Sequence, residues 1–157
     1  MAKGFYYGSI LVLWIVFLIT VGKRPFKVRH VFIWITYSLY SLVYEVIFGD
    51  ILNLYYYITP EDSIIYILLG SLFLYPVKMI LYLLFLPSKK VLWYTAGWIG
   101  FVQILELISM YTKTVVMTGW KVIPWSQITY LITYLLLFAV DRYYHKVVSD
   151  EIIIKRG

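Results

Sequence analysis

Residues 4–22 read GFYYGSILVLWIVFLITVG, a run from Gly4 to Gly22 without one charged side chain. A hydrocarbon core about 30 Å thick needs about 20 such residues at 1.5 Å of helical rise each, so this stretch predicts a membrane-spanning helix. It lacks a strongly basic start and ends in Val21, Gly22 and Lys23 without a small-residue cleavage site, so it reads as a retained span and not as a signal peptide.

Working outward, the basic link KRPFKVRH leads to a second run, Val31 to Gly49 (VFIWITYSLYSLVYEVIFG), which carries Glu45. A polar break, DILNLYYYITPEDS, precedes a third run from Ser63 to Leu86. Pro76 lies near its middle and removes a backbone donor, which predicts a kinked span, with two re-entrant halves as the alternative. After PSKK come a fourth run, Val91 to Tyr111, and a fifth, Gln127 to Val140, extended by the start of DRYYHK to residue 144. These runs are too long and too uniformly apolar for the alternating strands of a barrel. The expectation is an all-α polytopic bundle of about five transmembrane helices, forming one domain over residues 1–157.

Composition agrees, since 62% of the chain is hydrophobic and 20% aromatic, more than a soluble domain can bury, so the lipid bilayer is the first partner. The net charge of +6 sits in short clusters beside apolar runs, which topology explains without nucleic acid. Lys23, Arg24, Lys27, Arg29, Lys89, Lys90, Arg142, Lys146, Lys155 and Arg156 fall in one set of connections; only Lys3, Lys113 and Lys121 fall in the other. Short Lys/Arg-rich connections stay cytoplasmic, which predicts the N-terminus outside and the C-terminus inside. Tyr6, Tyr7, Tyr55 to Tyr57, Trp120, Trp125, Tyr143 and Tyr144 fit interfacial aromatic belts.

Ionisable groups at membrane depth ask for an explanation, because each costs about 2.5–3.5 kcal/mol at the centre of a span. Counted from the inner ends, Glu45 and Glu106 lie at about 21–23 Å of rise, so the two carboxylates share a layer toward the outer leaflet. Lys78 sits nearer the inner half, and its stem can lean toward them. A Glu45, Lys78, Glu106 cluster can serve proton or ion movement; its bland counterpart is a lysine paired with one glutamate, the other snorkelling or bonded to hydroxyls. Gln103, one turn from Glu106, reads as interhelical glue, and Asp141 with Arg142 as the end of the last helix.

Other chemistry is thin. With no cysteine there is no thiolate and no disulfide, and His30 and His145 lack placed acidic partners, so neither metal nor cofactor is expected. No nucleophile elbow or phosphate loop appears. A Schiff base on Lys78 has no supporting motif. The stretch TKTVVMTGWKVIPWS, with its Trp, Gly and Pro, suits a connection lying in the outer interface, possible as a lid. SDEIIIKRG at the end reads as a docking element or a frayed terminus.

From Glu106 onward the order ELISMYTKTVVMTGWKVIPWSQITYLITYLLLFAVDRYYHK resembles a family of small multi-span membrane proteins of Bacillus, Clostridium and related spore-forming Firmicutes. The resembling positions are Glu106, Tyr111 with Thr112, Trp120, Ser126, and Arg142 with Tyr143, together with the Tyr75, Pro76 pair; Lys78 departs from the pattern. The resemblance spans mainly residues 75–146. It implies a Gram-positive plasma membrane, that of a sporulating cell, and carries no activity over.

Three functions follow as expectations. The first is a non-enzymatic accessory, scaffold or subunit that assembles with itself or within a larger membrane complex. The second is a small transporter or channel component using Glu45, Lys78 and Glu106, with Pro76 as a movable kink. The third is a lipid-handling membrane enzyme, for which only Glu106 with Tyr111, or His145 with Asp141, approaches an acid/base pair.

Overall fold

A computed structural model describes residues 1–148 and 152–154. Among them are five helical spans long and apolar enough to cross a membrane: Ala2–Val21, Val28–Ile51, Ser63–Phe85, Val91–Tyr111 and Val122–Val147. The chain is thus an all-α bundle of a multi-pass membrane protein. Backbone groups in lipid must be satisfied within the chain, which is why these runs coil into helices.

The spans differ from the sequence expectation mainly where their helices widen. α1 (Ala2–Val21) is regular. α2 (Val28–Glu45) starts before Val31 and runs past Gly49 through a wide π-helical turn, Val46–Ile51, where Leu52 N–H donates to the Ile47 carbonyl at 2.9 Å. The third span is one unit and not two re-entrant halves. It comprises α3 (Ser63–Leu69), a π-helical turn Gly70–Leu74, and α4 (Tyr75–Phe85), with Pro76 in the first turn of α4. The π turn sits just before the residue that cannot donate, so the widened backbone does what the sequence assigned to a proline kink. The carbonyl of Tyr66, near that turn, accepts the Tyr6 hydroxyl at 2.5 Å.

α5 (Val91–Tyr111) is regular, and α6 (Gln127–Val147) is entered through another wide turn, Val122–Ser126. α6 continues beyond Asp141 and Arg142, which therefore do not mark its end. Asp141 instead faces Arg29 Nε at 3.8 Å. His30 Nδ1 accepts the Lys27 N–H at 3.0 Å, closing the start of α2, which is a structural role for a residue weighed as a metal ligand.

The third span is the central post: 56% of its most apolar stretch is buried, against 6% for the fourth, which lies on the outside. Toward the Lys/Arg-rich end the core is an aromatic plug. The fully buried Tyr82 packs on Tyr134 at 4.7 Å, Tyr94 at 5.2 Å and Trp98 at 5.7 Å, over Ile33, Val77, Ile80 and Leu137. Tyrosine hydroxyls also join helices here: Tyr82 meets Thr95 Oγ1 at 2.7 Å and Tyr37 donates to the Thr133 carbonyl at 3.1 Å.

The opposite end carries a small cap. β2 (Tyr55–Tyr57), from the loop after the second span, pairs antiparallel with β3 (Val115–Met117), with Tyr55 opposite Met117 and Tyr57 opposite Val115. The stretch after α5 is thus part of a two-stranded lid. At the basic end β1 (Phe26–Lys27) pairs antiparallel with β4 (Ile152–Ile154); the rest of the C-terminal SDEIIIKRG lies outside the described residues.

Side chains alternate along a strand, so Tyr55 and Tyr57 turn into the bundle, 6% and 7% exposed. With the buried Tyr6 they are not the interfacial anchors expected; their rings pack on one another at 6.1–6.3 Å. Tyr7 and Tyr143 remain outside.

Candidate functional site

The cap closes a chamber of about 200 Å³, whose walls include Glu45, Lys78 and Glu106, the three ionisable residues singled out in the sequence. All three are thus brought to one place, but not as an ion-paired cluster. Among the described residues no carboxylate oxygen lies within 4.0 Å of Lys78 Nζ, so the expected lysine–glutamate pair is absent. Nζ stands over the Tyr75 ring, 4.9 Å from its centroid, in a side chain 8% exposed.

Glu106 is the most heavily bonded group. Oε1 accepts from Ser126 Oγ at 2.7 Å; Oε2 accepts from Tyr130 Oη at 2.9 Å and Gln103 Nε2 at 2.8 Å. Trp120 Nε1 donates to Ser126 Oγ at 3.0 Å, which leaves the serine proton for Glu106. Gln103 thus binds Glu106 within its own helix, one turn apart, while its Oε1 lies 3.1 Å from the side-chain amide of Gln127 in α6, and Ser126 and Tyr130 add further links between helices. This network ties the fourth span to the fifth and to the lid.

Glu45, 6% exposed, accepts a hydrogen bond from Tyr57 Oη at 3.0 Å, and the Tyr55 and Tyr75 hydroxyls also turn toward its carboxyl group. Tyr57 Oη is 2.5 Å from Tyr75 Oη, whose ring carries Lys78. Lys78 and Glu45 are thus connected through two phenols and not by contact. Burial, then the Glu45 charge, push the Tyr57 phenol well above the ordinary tyrosine range, so it stays a proton donor. Tyr55 Oη is buried in the same wall, on the Glu45 side of the chamber.

Tyr57, Tyr130 and Ser126 were legible only in part. Ser126 stood out through the family resemblance, whereas Tyr57 lay in a YYY run assigned to the interface and Tyr130 carried no signal. Of the other resembling residues, Trp120 and Tyr75 join the site and Pro76 is buried beside it. Thr112 binds Thr114 Oγ1 at 2.8 Å under the lid; Tyr111 is exposed, and Arg142 is exposed at the far end.

A second space, an apolar cleft of about 600 Å³, runs beside the chamber between α1, α4 and α5. Its walls include Gly8, Val12, Leu81, Phe85, Trp98 and Phe101, and beside Gly4 and Gly8 a methyl group would touch nothing within 4 Å. Phe5, Ser9, Leu13, Lys78 and Leu105 border both spaces, so chamber and cleft meet there, with Lys78 as the charged residue at the join. Both carboxylates border the chamber alone. No group of three metal-ligating side chains comes together among the described residues.

No family model matches the chain, and neither the curated proteins nor the solved structures show a significant similarity to it.

Proposed function

We propose that this chain is a non-enzymatic accessory protein of the plasma membrane, N-terminus outside, that binds an amphiphile. The polar head occupies the capped chamber and an apolar chain occupies the cleft between α1, α4 and α5. The observation that carries the reading is the meeting of the two spaces around Lys78, a chamber with ionisable groups and hydroxyls in its walls continuous with an apolar cleft. With the capped end outward, the head lies toward the outer interface and the chain points to the bilayer centre, the polarity of an outer-leaflet lipid.

The transport reading is favoured by one feature, the phenol link from Lys78 through Tyr75 and Tyr57 to Glu45. Against it stands the plug around Tyr82, which fills the bundle between chamber and basic end. Neither pair weighed for an enzyme is favoured: Tyr111 is exposed while Glu106 is held by three donors, and Asp141 and His145 both face Arg29.

The test is intact-mass measurement of the protein extracted in mild detergent. The wild type retains about one lipid per chain, and Gly8→Phe, which fills the cleft and leaves the chamber untouched, retains far less. A lipid-free wild type under conditions that preserve its fold contradicts the reading. Proton flux into liposomes that Glu45→Gln with Glu106→Gln abolishes would move the function to transport.

A further inference from the structure

The charges along the joined spaces come in a fixed order. A chain lying in the apolar cleft meets Lys78 first, because Lys78 borders both spaces, and the carboxylates only beyond it, inside the chamber. Lys78 is more than nine-tenths buried and, among the described residues, has no carboxylate within 4.0 Å. A buried ammonium in a membrane protein is stabilised by an anion close to it. Of the two carboxylates, Glu106 is closed off by three donors at 2.7–2.9 Å, while Glu45 has one close donor, Tyr57 at 3.0 Å, with the hydroxyls of Tyr55 and Tyr75 in looser reach. Glu45 is thus the acceptor with capacity left, surrounded by the rings of Tyr44, Tyr55 and Tyr57 in the chamber wall.

Resting on the amphiphile reading, we propose that the chamber selects a phospholipid head whose phosphate lies next to the chain and whose primary ammonium lies beyond it, the phosphoethanolamine class. Read outward from the acyl chain, such a lipid presents apolar chain, anion and cation. The protein presents the complement in the same order: cleft, Lys78, Glu45. The phosphate receives the lysine as a charge-assisted donor, and the ammonium donates to Glu45 and rests against tyrosine faces. Charge count points the same way. A zwitterionic head brings no net charge into the buried chamber, whereas a phosphoglycerol head brings a net anion that must be desolvated there. A choline head carries a cation without N–H donors and cannot hydrogen-bond the carboxylate.

The experiment presents the full chain, in detergent, with an equimolar mixture of phosphatidylethanolamine, phosphatidylglycerol and phosphatidylcholine of identical acyl chains, and weighs the retained adducts. The wild type is expected to hold phosphatidylethanolamine about tenfold over either competitor, the scale of one additional charged contact. Lys78→Met is expected to lose phospholipid of every head class, and Glu45→Gln to keep binding while its preference falls toward equality. Where Lys78→Met fails to fold, Glu45→Gln decides through the ratio alone.

Equal retention of the three lipids by the wild type, or a preference for phosphatidylglycerol or phosphatidylcholine, overturns the head assignment and leaves amphiphile binding standing. A folded Lys78→Met with wild-type selectivity overturns it as well. Retention of no lipid by the wild type removes the amphiphile reading itself.

Discussion

Replacing Glu106 with alanine takes one acceptor from three donors at once. Ser126, Tyr130 and Gln103 donate to it at 2.7, 2.9 and 2.8 Å, and Trp120 holds Ser126 at 3.0 Å. The Gln103 bond lies within α5, so the two bonds between helices, at roughly 0.6–1.7 kcal/mol each, make the loss about 1–3 kcal/mol, the upper end applying if the donors stay buried without partners. Glu106→Gln keeps the shape and one acceptor oxygen but turns an amide N–H toward a donor; its cost is about 1–2 kcal/mol. Tyr130→Phe removes one bond and costs about 1 kcal/mol. Reversible unfolding in mixed micelles with rising dodecyl sulfate, followed by tryptophan fluorescence, ranks the three. The order alanine, glutamine, then Tyr130→Phe is expected. A Glu106→Ala protein within about 0.5 kcal/mol of wild type, the range of an uninvolved surface change, would show that the network does not hold the fifth span to the fourth.

Tyr82→Ala opens a hole in the aromatic plug against Tyr134, Tyr94 and Trp98, and costs about 3–5 kcal/mol in the same unfolding assay. Lys113→Gly stabilises by about 0.5–1 kcal/mol: Lys113 sits at φ 57 after α5, where Thr114 N–H donates to the Ser109 carbonyl at 2.7 Å and Lys113 N–H to that of Met110 at 3.0 Å, the helix ending that favours glycine. Raising pH through about 10 weakens the fold, because an unfolded chain releases tyrosine protons that the buried Tyr55 and Tyr57 retain; this contribution is intact below pH 10 and is lost above it. Tyr57→Phe flattens that fall by up to about 1.4 kcal/mol per pH unit, read from unfolding midpoints between pH 9 and 11.

The five spans were legible because membrane length and apolar composition leave little choice, and the third stayed one span because its widened turn absorbs Pro76. The π-helical turns were not legible, since their hydrogen bonding shifts by one residue without changing composition. The stretch after α5 was readable as a lid, but its strand pairing was invisible for a different reason: Tyr55–Tyr57 and Val115–Met117 lie far apart in sequence, and a strand of three residues has too little alternation to read. That pairing decides which tyrosines turn inward, so the donor to Glu45 was missed although Glu45 itself was found. Depth counting placed Glu45 and Glu106 in one layer and brought Lys78 near them, but counting along a helix axis does not resolve contact, and the expected ion pair proved to be a lysine over a tyrosine ring. The apolar cleft followed from no motif, because a gap between helices is a property of packing and leaves no pattern in any one of them.

The most direct measurement is photocrosslinking in vesicles with a phospholipid carrying a diazirine halfway along one acyl chain, followed by mapping of the modified residues. Crosslinks concentrated on the inner cleft residues Leu13, Leu81, Trp98 and Leu105 are predicted, with their loss in Gly8→Phe. Labelling spread evenly over outward-facing residues such as Leu39, Leu131 and Leu135, unchanged by that substitution, would contradict a lipid seated between α1, α4 and α5.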